Sequence, residues 1–368
     1  MPVDFIGIIG NRAGSEIQAP SGPIVDRVHI GALARAHEYA GFDWVYAGYH
    51  SNSPDNFQTI AYAAQQTETL RYLVAHRPGF IQPTVAAKNL ASLDHFIGGK
   101  LGVNIISGDD ADFRREGDFL PPEERYHRAG EFLEIVKTYW TSPVPFDHVG
   151  KYFRVENSLA AVKPLQKPSI PIFFPGTSDV AVDVAARHAD VYALWGEEVE
   201  EVRAIVNKVR AAAKVYGREN HIRFSLSLRP VLASTEAAAW ARAEDILAKA
   251  KALAEGEPAF PPAKSRPGGM QRLRDLATKG RVVDKRLWTE MAGLPNARGN
   301  TTGLVGTAEQ VAESLLDYYD AGISVFLIRG FDPLEDSLQY GRELLPRVRA
   351  GVAERDARAS RPVLAVSA

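Results

Sequence analysis

Polar and aromatic side chains gather where short apolar runs end, and several of these groups could do chemistry. Asn104-Ile-Ile-Ser107-Gly108 closes one run with an amide, a hydroxyl and a flexible backbone. Such groups hydrogen-bond the polar edge of a heterocyclic ring, a flavin's included, or simply cap a turn. Gly176-Thr177-Ser178-Asp179 follows another run and opens a helical pattern. Backbone N–H groups and two hydroxyls there suit a phosphate at the positive end of a helix, and equally an ordinary helix cap. Ala75-His76-Arg77-Pro78 sets an imidazole beside a guanidinium, fit for an anion, a flavin ring edge or a surface salt bridge. Trp195, followed by Gly196-Glu197-Glu198, could wall a ring-binding pocket or belong to the core. Arg229 interrupts the apolar run SLSLRPVLA. Burying it would cost several kcal/mol unless a carboxylate partner or a ligand anion met it, roughly speaking. Arg329 ends the last apolar run, and Arg298, in ARGNTTG, could close on an anion or face solvent.

Elements must bring these groups together. Strand patterns fall at 3–9, 42–47, 72–75, 101–106, 170–174, 191–195, 222–233 and 324–328. Helical patterns fall between them at 25–40, 83–96, 122–139, 178–188, 198–216, 235–253 and 307–321. Eight strands alternating with helices predict a closed (β/α)8 TIM barrel, an α/β fold, as a single domain over 1–368. In such a barrel the active site lies where strands end. Ser178 or Asp179 predicts one helix start, and Thr307-Ala-Glu-Gln310 matches a capping box. Residues 141–155 read as a small hairpin excursion, and 256–303 as a long polar insertion before the last strand, expected to act as a mobile lid. The Ala/Arg-rich tail, 350–368, is expected to fray or to contact another subunit.

Composition narrows the function classes. The 43 Lys and Arg nearly balance the 45 Asp and Glu, so there is no global field to attract nucleic acid or anionic membrane. With no cysteine, thiolate catalysis and Cys-ligated metal are excluded, and redox chemistry needs an organic cofactor. No HExxH, GxSxG, Walker A or post-strand GxGxxG motif occurs, which removes the zinc-protease, hydrolase, P-loop and Rossmann readings. The apolar N-terminal run carries Asp4 and lacks a basic flank, so a cytoplasmic location is expected.

The motifs together resemble those of the bacterial-luciferase-like flavin monooxygenases, specifically the two-component alkanesulfonate monooxygenases. The similarity runs from the LRYLVAHRP segment ending at Pro78 and the PTVAAKNLASLD segment ending at Asp94 through Asn104–Gly108, Glu124-Arg-Tyr126, Gly176–Asp179, Leu194-Trp-Gly196 and Leu304-Val-Gly306 to Gly330-Phe-Asp-Pro-Leu334. The resemblance implies FMNH2 supplied by a separate NAD(P)H-dependent FMN reductase. It implies that O2 forms a flavin C4a-peroxide that oxidises a small anionic organosulfur compound, cleaving the C–S bond of an alkane- or sugar-sulfonate to aldehyde and sulfite. It places the FMN phosphate near Tyr126, Gly176, Thr177 and Ser178, and the isoalloxazine against Ala75, His76, Asn104 and Ser107. Trp195 falls in the substrate pocket, Arg298 matches a lid arginine, and assembly as a homodimer or homotetramer is expected.

Departures from that family's pattern concentrate in the substrate pocket. The family's Arg-x-His is Ser227-Leu228-Arg229 here, its tyrosine after the last strand is Phe331 preceded by Arg329, a cysteine is Ser53, and a first-loop histidine is Asn11 or Arg12. Candidate proton donors are lost while the site stays cationic, so an anionic substrate is expected. The alternatives are an F420-dependent hydride-transfer enzyme, a monooxygenase acting on another substrate, and a non-catalytic flavin-binding barrel.

Overall fold

The structure is a computed structural model that describes residues 2–108, 110–255, 268–294, 297 and 301–359. In chain order the first half comprises β1 (Asp4–Ile8), α1 (Arg27–Tyr39), β2 (Trp44–Ala47), α2 (Asn56–Ala63), β3 (Arg71–His76), α3 (Pro83–Phe96), β4 (Leu101–Ile105), α4 (Asp110–Arg115), α5 (Pro122–Thr141) and the hairpin β5 (Phe146–Val149) and β6 (Arg154–Ser158). The second half comprises β7 (Ile172–Pro175), α6 (Asp179–His188), β8 (Val191–Trp195), α7 (Val199–Lys214), β9 (Arg223–Leu232), α8 (Glu236–Glu255), α9 (Gly268–Lys279), β10 (Val282–Val283), β11 (Leu287–Trp288), β12 (Gly303–Gly306), α10 (Ala308–Asp320), β13 (Val325–Ile328), α11 (Pro333–Gln339) and α12 (Leu345–Ala359).

Eight parallel strands, β1, β2, β3, β4, β7, β8, β9 and β13, close into a ring because β8 pairs with β9. The chain is therefore a (β/α)8 barrel. Each of the eight coincides with a strand expected from the sequence, since β-branched and aromatic residues bounded by helical periodicity leave little ambiguity. Cap chemistry also holds: Ser178 caps α6, and Thr307 and Gln310 complete the capping box of α10. No described helix is long and apolar enough to cross a membrane.

Alternation along each strand decides what faces the barrel interior. Ile6, Trp44, Leu73, Phe173, Val191 and Val325, with Tyr46 and Leu327 against them, fill it. Gly102 belongs to the same interior: a Cβ there would stand 3.0 Å from Trp44, 3.2 Å from Leu73 and 3.4 Å from Phe173. Near the N-terminal ends of the strands Asp4 meets Arg71 at 3.1 Å and Arg223 at 2.6 Å, so the charges buried at that end are paired. Opposite strand faces form the larger apolar cluster against the helices.

The structure differs from the sequence reading in several regions, the short additional helices α4 and α11 among them. Helix α2 is an additional element; Asp55 caps it, but eight residues give too short a period to stand out. The tail expected to fray from 350 is helical to Ala359, because Leu345, Val348 and Val352 bury one stripe of α12. Insertion 256–303 is not a uniform lid either. Residues 256–267 lie outside the described part, but α9 packs through Leu273 and Leu276, and β10, β11 and β12 continue the sheet beside the C-terminal half of β9.

Replacing Gly102 with Val overfills a ring of fixed radius. Gly102→Val should lower stability by about 1–3 kcal/mol, read as a lower urea midpoint at unchanged slope.

Candidate functional site at the barrel mouth

Register determines which strand-end residues converge. Ala75 lies opposite Asn104, Asn104 opposite Phe173, and Trp195 opposite Ser227, so these five residues share the interior face. Arg229 lies two residues beyond Ser227 and Arg329 two beyond Leu327, on the same parity. Ala75, Asn104, Trp195, Arg229 and Arg329 are thus brought together at the mouth, as their positions after apolar runs predicted.

His76 is one residue out of phase and departs from the expected catalytic placement. Its ring stacks on Phe132 of α5 at 5.2 Å and meets Phe57 of α2 edge-on at 6.1 Å. Burial pushes its pKa down to about 4, so the imidazole is neutral. A one-residue step in a strand exchanges the interior face for the helix face, and this is why His76 packs outward. It still borders a cavity of about 690 Å³ beside the end of β3, which Tyr49, Phe80, Asp118 and Arg128 also line.

Asn104 Nδ2 donates to the Tyr46 hydroxyl at 3.2 Å, while Asn104 Oδ1 and Ser107 Oγ are buried and unpartnered. Tyr46 was missed in the sequence, although its alternation with Trp44 placed it on the interior face. Burial raises its pKa, against the effect of the Asn104 hydrogen bond. Arg77 lies beneath the mouth, donating to the Gly108 carbonyl and to Asp112, both at 2.9 Å.

The α6 entry is shaped by Gly176, whose φ of 139° favours glycine. A Cβ there would come within 2.6 Å of Ala181 and 2.9 Å of the Tyr126 hydroxyl, so the backbone lies close beneath that phenol. Ser178 Oγ accepts from Ala181 N at 3.3 Å, and Thr177 is partly buried beside it. The helix-cap reading of Ser178 is therefore realised, while the N-terminus of α6 and the Tyr126 hydroxyl still converge on one spot.

Arg229 is fully buried, and its ion partner is a residue absent from the sequence expectations, Glu16. Arg229 Nη2 donates to Glu16 Oε2 at 3.0 Å and to the Gly330 carbonyl at 2.8 Å, with its guanidinium 3.5 Å over the Phe331 ring. Arg329 Nη2 donates to the other oxygen, Oε1, at 2.6 Å. Burial opposes the charge of Glu16, but Arg229 and Arg329 overcome it and hold the carboxyl at about 2. Separations of 213 and 313 residues gave no signal that this loop glutamate would meet these arginines.

The β7–β8 side of the mouth is covered by the start of α9. A Cβ on Gly269 would stand 3.1 Å from the Trp195 ring, and one on Gly268 3.5 Å from Thr177 Oγ1. Arg272 of α9 grips buried Glu197 in a fork, Nε to Oε2 at 2.8 Å and Nη2 to Oε1 at 2.7 Å. Thr302 Oγ1 donates to the Gly196 carbonyl at 2.7 Å, so α9 and the approach to β12 are both fastened to the end of β8. Arg298, expected to close over the mouth, lies outside the described residues.

An eight-stranded barrel with cations, an amide and aromatic rings converging at the strand ends is the architecture of a barrel enzyme with its site at the mouth. Residues 3–324 match the family model described as luciferase-like monooxygenase, and the chain belongs to that family. Solved structures agree in fold. A riboflavin lyase, determined with modified FMN and riboflavin, superposes with a TM-score of 0.78 at 19% identity, covering 95% of this chain and 92% of that one. An EDTA monooxygenase from Chelativorans sp. BNC1 gives 0.75 at 21% identity, with 95% and 94% covered. A long-chain alkane monooxygenase gives 0.75 at 18%, with 97% and 92% covered.

Two outcomes test this geometry. Arg272→Ala strands the Glu197 carboxylate and should cost about 2 kcal/mol, less than for a fully buried pair because Arg272 is partly exposed. Limited proteolysis should then cut the insertion faster than in the parent. For His76 the folded-state pKa lies below the unfolded value of 6.5, so the unfolded chain takes up the proton first as pH falls. Stability should decline from pH 6.5 towards 4, with buried His37 and His188 contributing beside His76, and His76→Phe, which keeps a ring between Phe57 and Phe132, should make that decline shallower in urea titrations. An unchanged slope would show that His76 does not supply it.

Proposed function

We propose that the chain is an FMNH2-dependent monooxygenase that uses O2 to oxidise a small anionic organosulfur compound, with C–S cleavage of an alkane- or sugar-sulfonate to aldehyde and sulfite as the leading reaction. Reduced FMN would come from a separate NAD(P)H-dependent FMN reductase, and the working form would be a homodimer or homotetramer. The carrying observation is the pairing, at one barrel mouth, of buried unpartnered acceptor and hydroxyl groups with a buried arginine whose Nε and Nη1 have no partner.

The residues present fit a flavin. Asn104 Oδ1 and Ser107 Oγ are buried polar atoms awaiting a partner, as a ring with N–H and carbonyl edges would supply. The start of α6, with the Tyr126 hydroxyl beside the close-lying backbone of Gly176, suits a phosphate held by backbone N–H groups and that phenol. When bound, reduced flavin supplies the two electrons with which one oxygen atom of O2 enters the substrate and the other leaves as water.

This chain's own groups divide the remaining work. Arg229, through an edge of its guanidinium that includes one of its unpartnered nitrogens, would donate to the substrate's anionic head, with Arg329 adding to the local positive potential. Trp195 would pack the substrate's apolar part, and the start of α9 over its ring restricts water on that side. Tyr46, with its pKa raised by burial, keeps its proton on Oη at neutral pH. It takes the place of a proton donor that Ser227 and Phe331 cannot provide.

The decisive experiment combines the protein with FMNH2, O2 and a panel of organosulfonates and traps the sulfite released. Sulfite should appear with at least one member, and Arg229→Met should lower kcat/KM by about 100-fold or more. No sulfite from any member defeats the desulfonation reading, and reduced F420 binding far more tightly than FMNH2 defeats the flavin reading.

A further inference from the structure

One carboxylate bridges two guanidinium groups at the mouth, and the bridge is unequal. Glu16 Oε1 takes Arg329 and Oε2 takes Arg229, so its two oxygens are arranged as those of a bound oxyanion would be. Arg229 is completely buried, yet only its Nη2 is bonded; Nε and Nη1 are left unmade. Glu16, by contrast, keeps a third of its side chain, 35%, in contact with solvent. The carboxylate thus has a path back to water, at the cost of two ion pairs that an incoming oxyanion replaces, whereas the arginine has none.

Its loop can release it without dismantling the barrel. Glu16 lies between β1 and α1, in a tight turn closed by Ser15 N to the Gln18 carbonyl at 2.9 Å. Ile17 anchors that turn in the apolar cluster containing Val231, Trp288 and Phe331, so the Glu16 side chain can swing away without moving the backbone. With two arginines and one glutamate the formal charge of the group is +1, and an arriving anion is attracted even before exchange.

We propose that Glu16 is a built-in stand-in for the substrate's anionic head group, and that an organic oxyanion enters by displacing its carboxylate from Arg229 and Arg329. This deepens the reading above, and rests on it only in taking the mouth as the substrate site. Displacement restores hydrogen bonds that Glu16 leaves unmade on Arg229, so a head group offering several oxygens gains where a neutral one does not. Glu16 thereby sets specificity: it raises the threshold for any anion and leaves a neutral sulfone without a route to the two arginines.

The test needs neither flavin nor oxygen, which keeps its failure separate from failure of the monooxygenase reading. Methanesulfonate, acetate and neutral dimethyl sulfone are titrated into the parent and Glu16→Gln by calorimetry. Glu16→Gln should bind methanesulfonate about tenfold more tightly or better, a gain of about 1.4 kcal/mol, with sulfone binding unchanged. Adding Arg229→Met should abolish the gain, and acetate shows whether carboxylates share it. Should Glu16→Gln prove unstable, its melting temperature should rise with methanesulfonate more than the parent's does and stay put with the sulfone. Equal or weaker methanesulfonate binding in Glu16→Gln, or an equal thermal response to the sulfone, overturns the proposal and leaves Glu16 a positioning residue for the arginines.

Discussion

The hydrogen-bonded pairing of β8 with β9 is the interaction on which the rest depends. It turns a row of parallel strands into a ring. Once the ring is closed, each strand must commit one parity to a shared interior and the other to the helices, since a slip of one residue would exchange the two faces. That commitment puts Trp195 level with Ser227 and Ala75 level with Asn104, and sends His76 outward between Phe57 and Phe132.

Charge inside the ring is handled differently at its two ends. Asp4 is shared by Arg71 and Arg223 at the strand starts, where salt-bridged groups close the barrel. At the mouth Glu16 is likewise shared by two arginines, but Arg229 retains unused donors. A buried guanidinium without its full set of partners is costly in a purely structural role. At a strand end of a (β/α)8 barrel such a cost is readily understood as preparation for a ligand. The family model's match over residues 3–324 establishes membership of the luciferase-like monooxygenase family independently of that arrangement.

The insertion joins these two themes. Its middle helix is held by a forked Arg272–Glu197 pair, and its return strand runs along β9, so the segment that covers Trp195 is tied to the same strands that carry the site. A cover fastened in this way can shield one wall of the mouth while the opposite sector, around Tyr49 and Phe80, remains an open cavity.

The sequence by itself determined the barrel. Strand and helix periods, the Ser178 cap and the Thr307–Gln310 capping box are local, because neighbouring residues along the chain carry them. It also marked Asn104, Trp195, Arg229 and Arg329, since a polar residue after an apolar run is visible without any contact. Which of two faces a strand-end residue takes, and which distant group meets it, were decided only by the tertiary structure. His76 and Ala75 are neighbours in the chain yet face opposite sides of a strand, and Arg229 finds Glu16 across 213 residues. Closure of the ring sets both outcomes, and closure is a property of strands pairing with one another, which no single stretch of sequence contains.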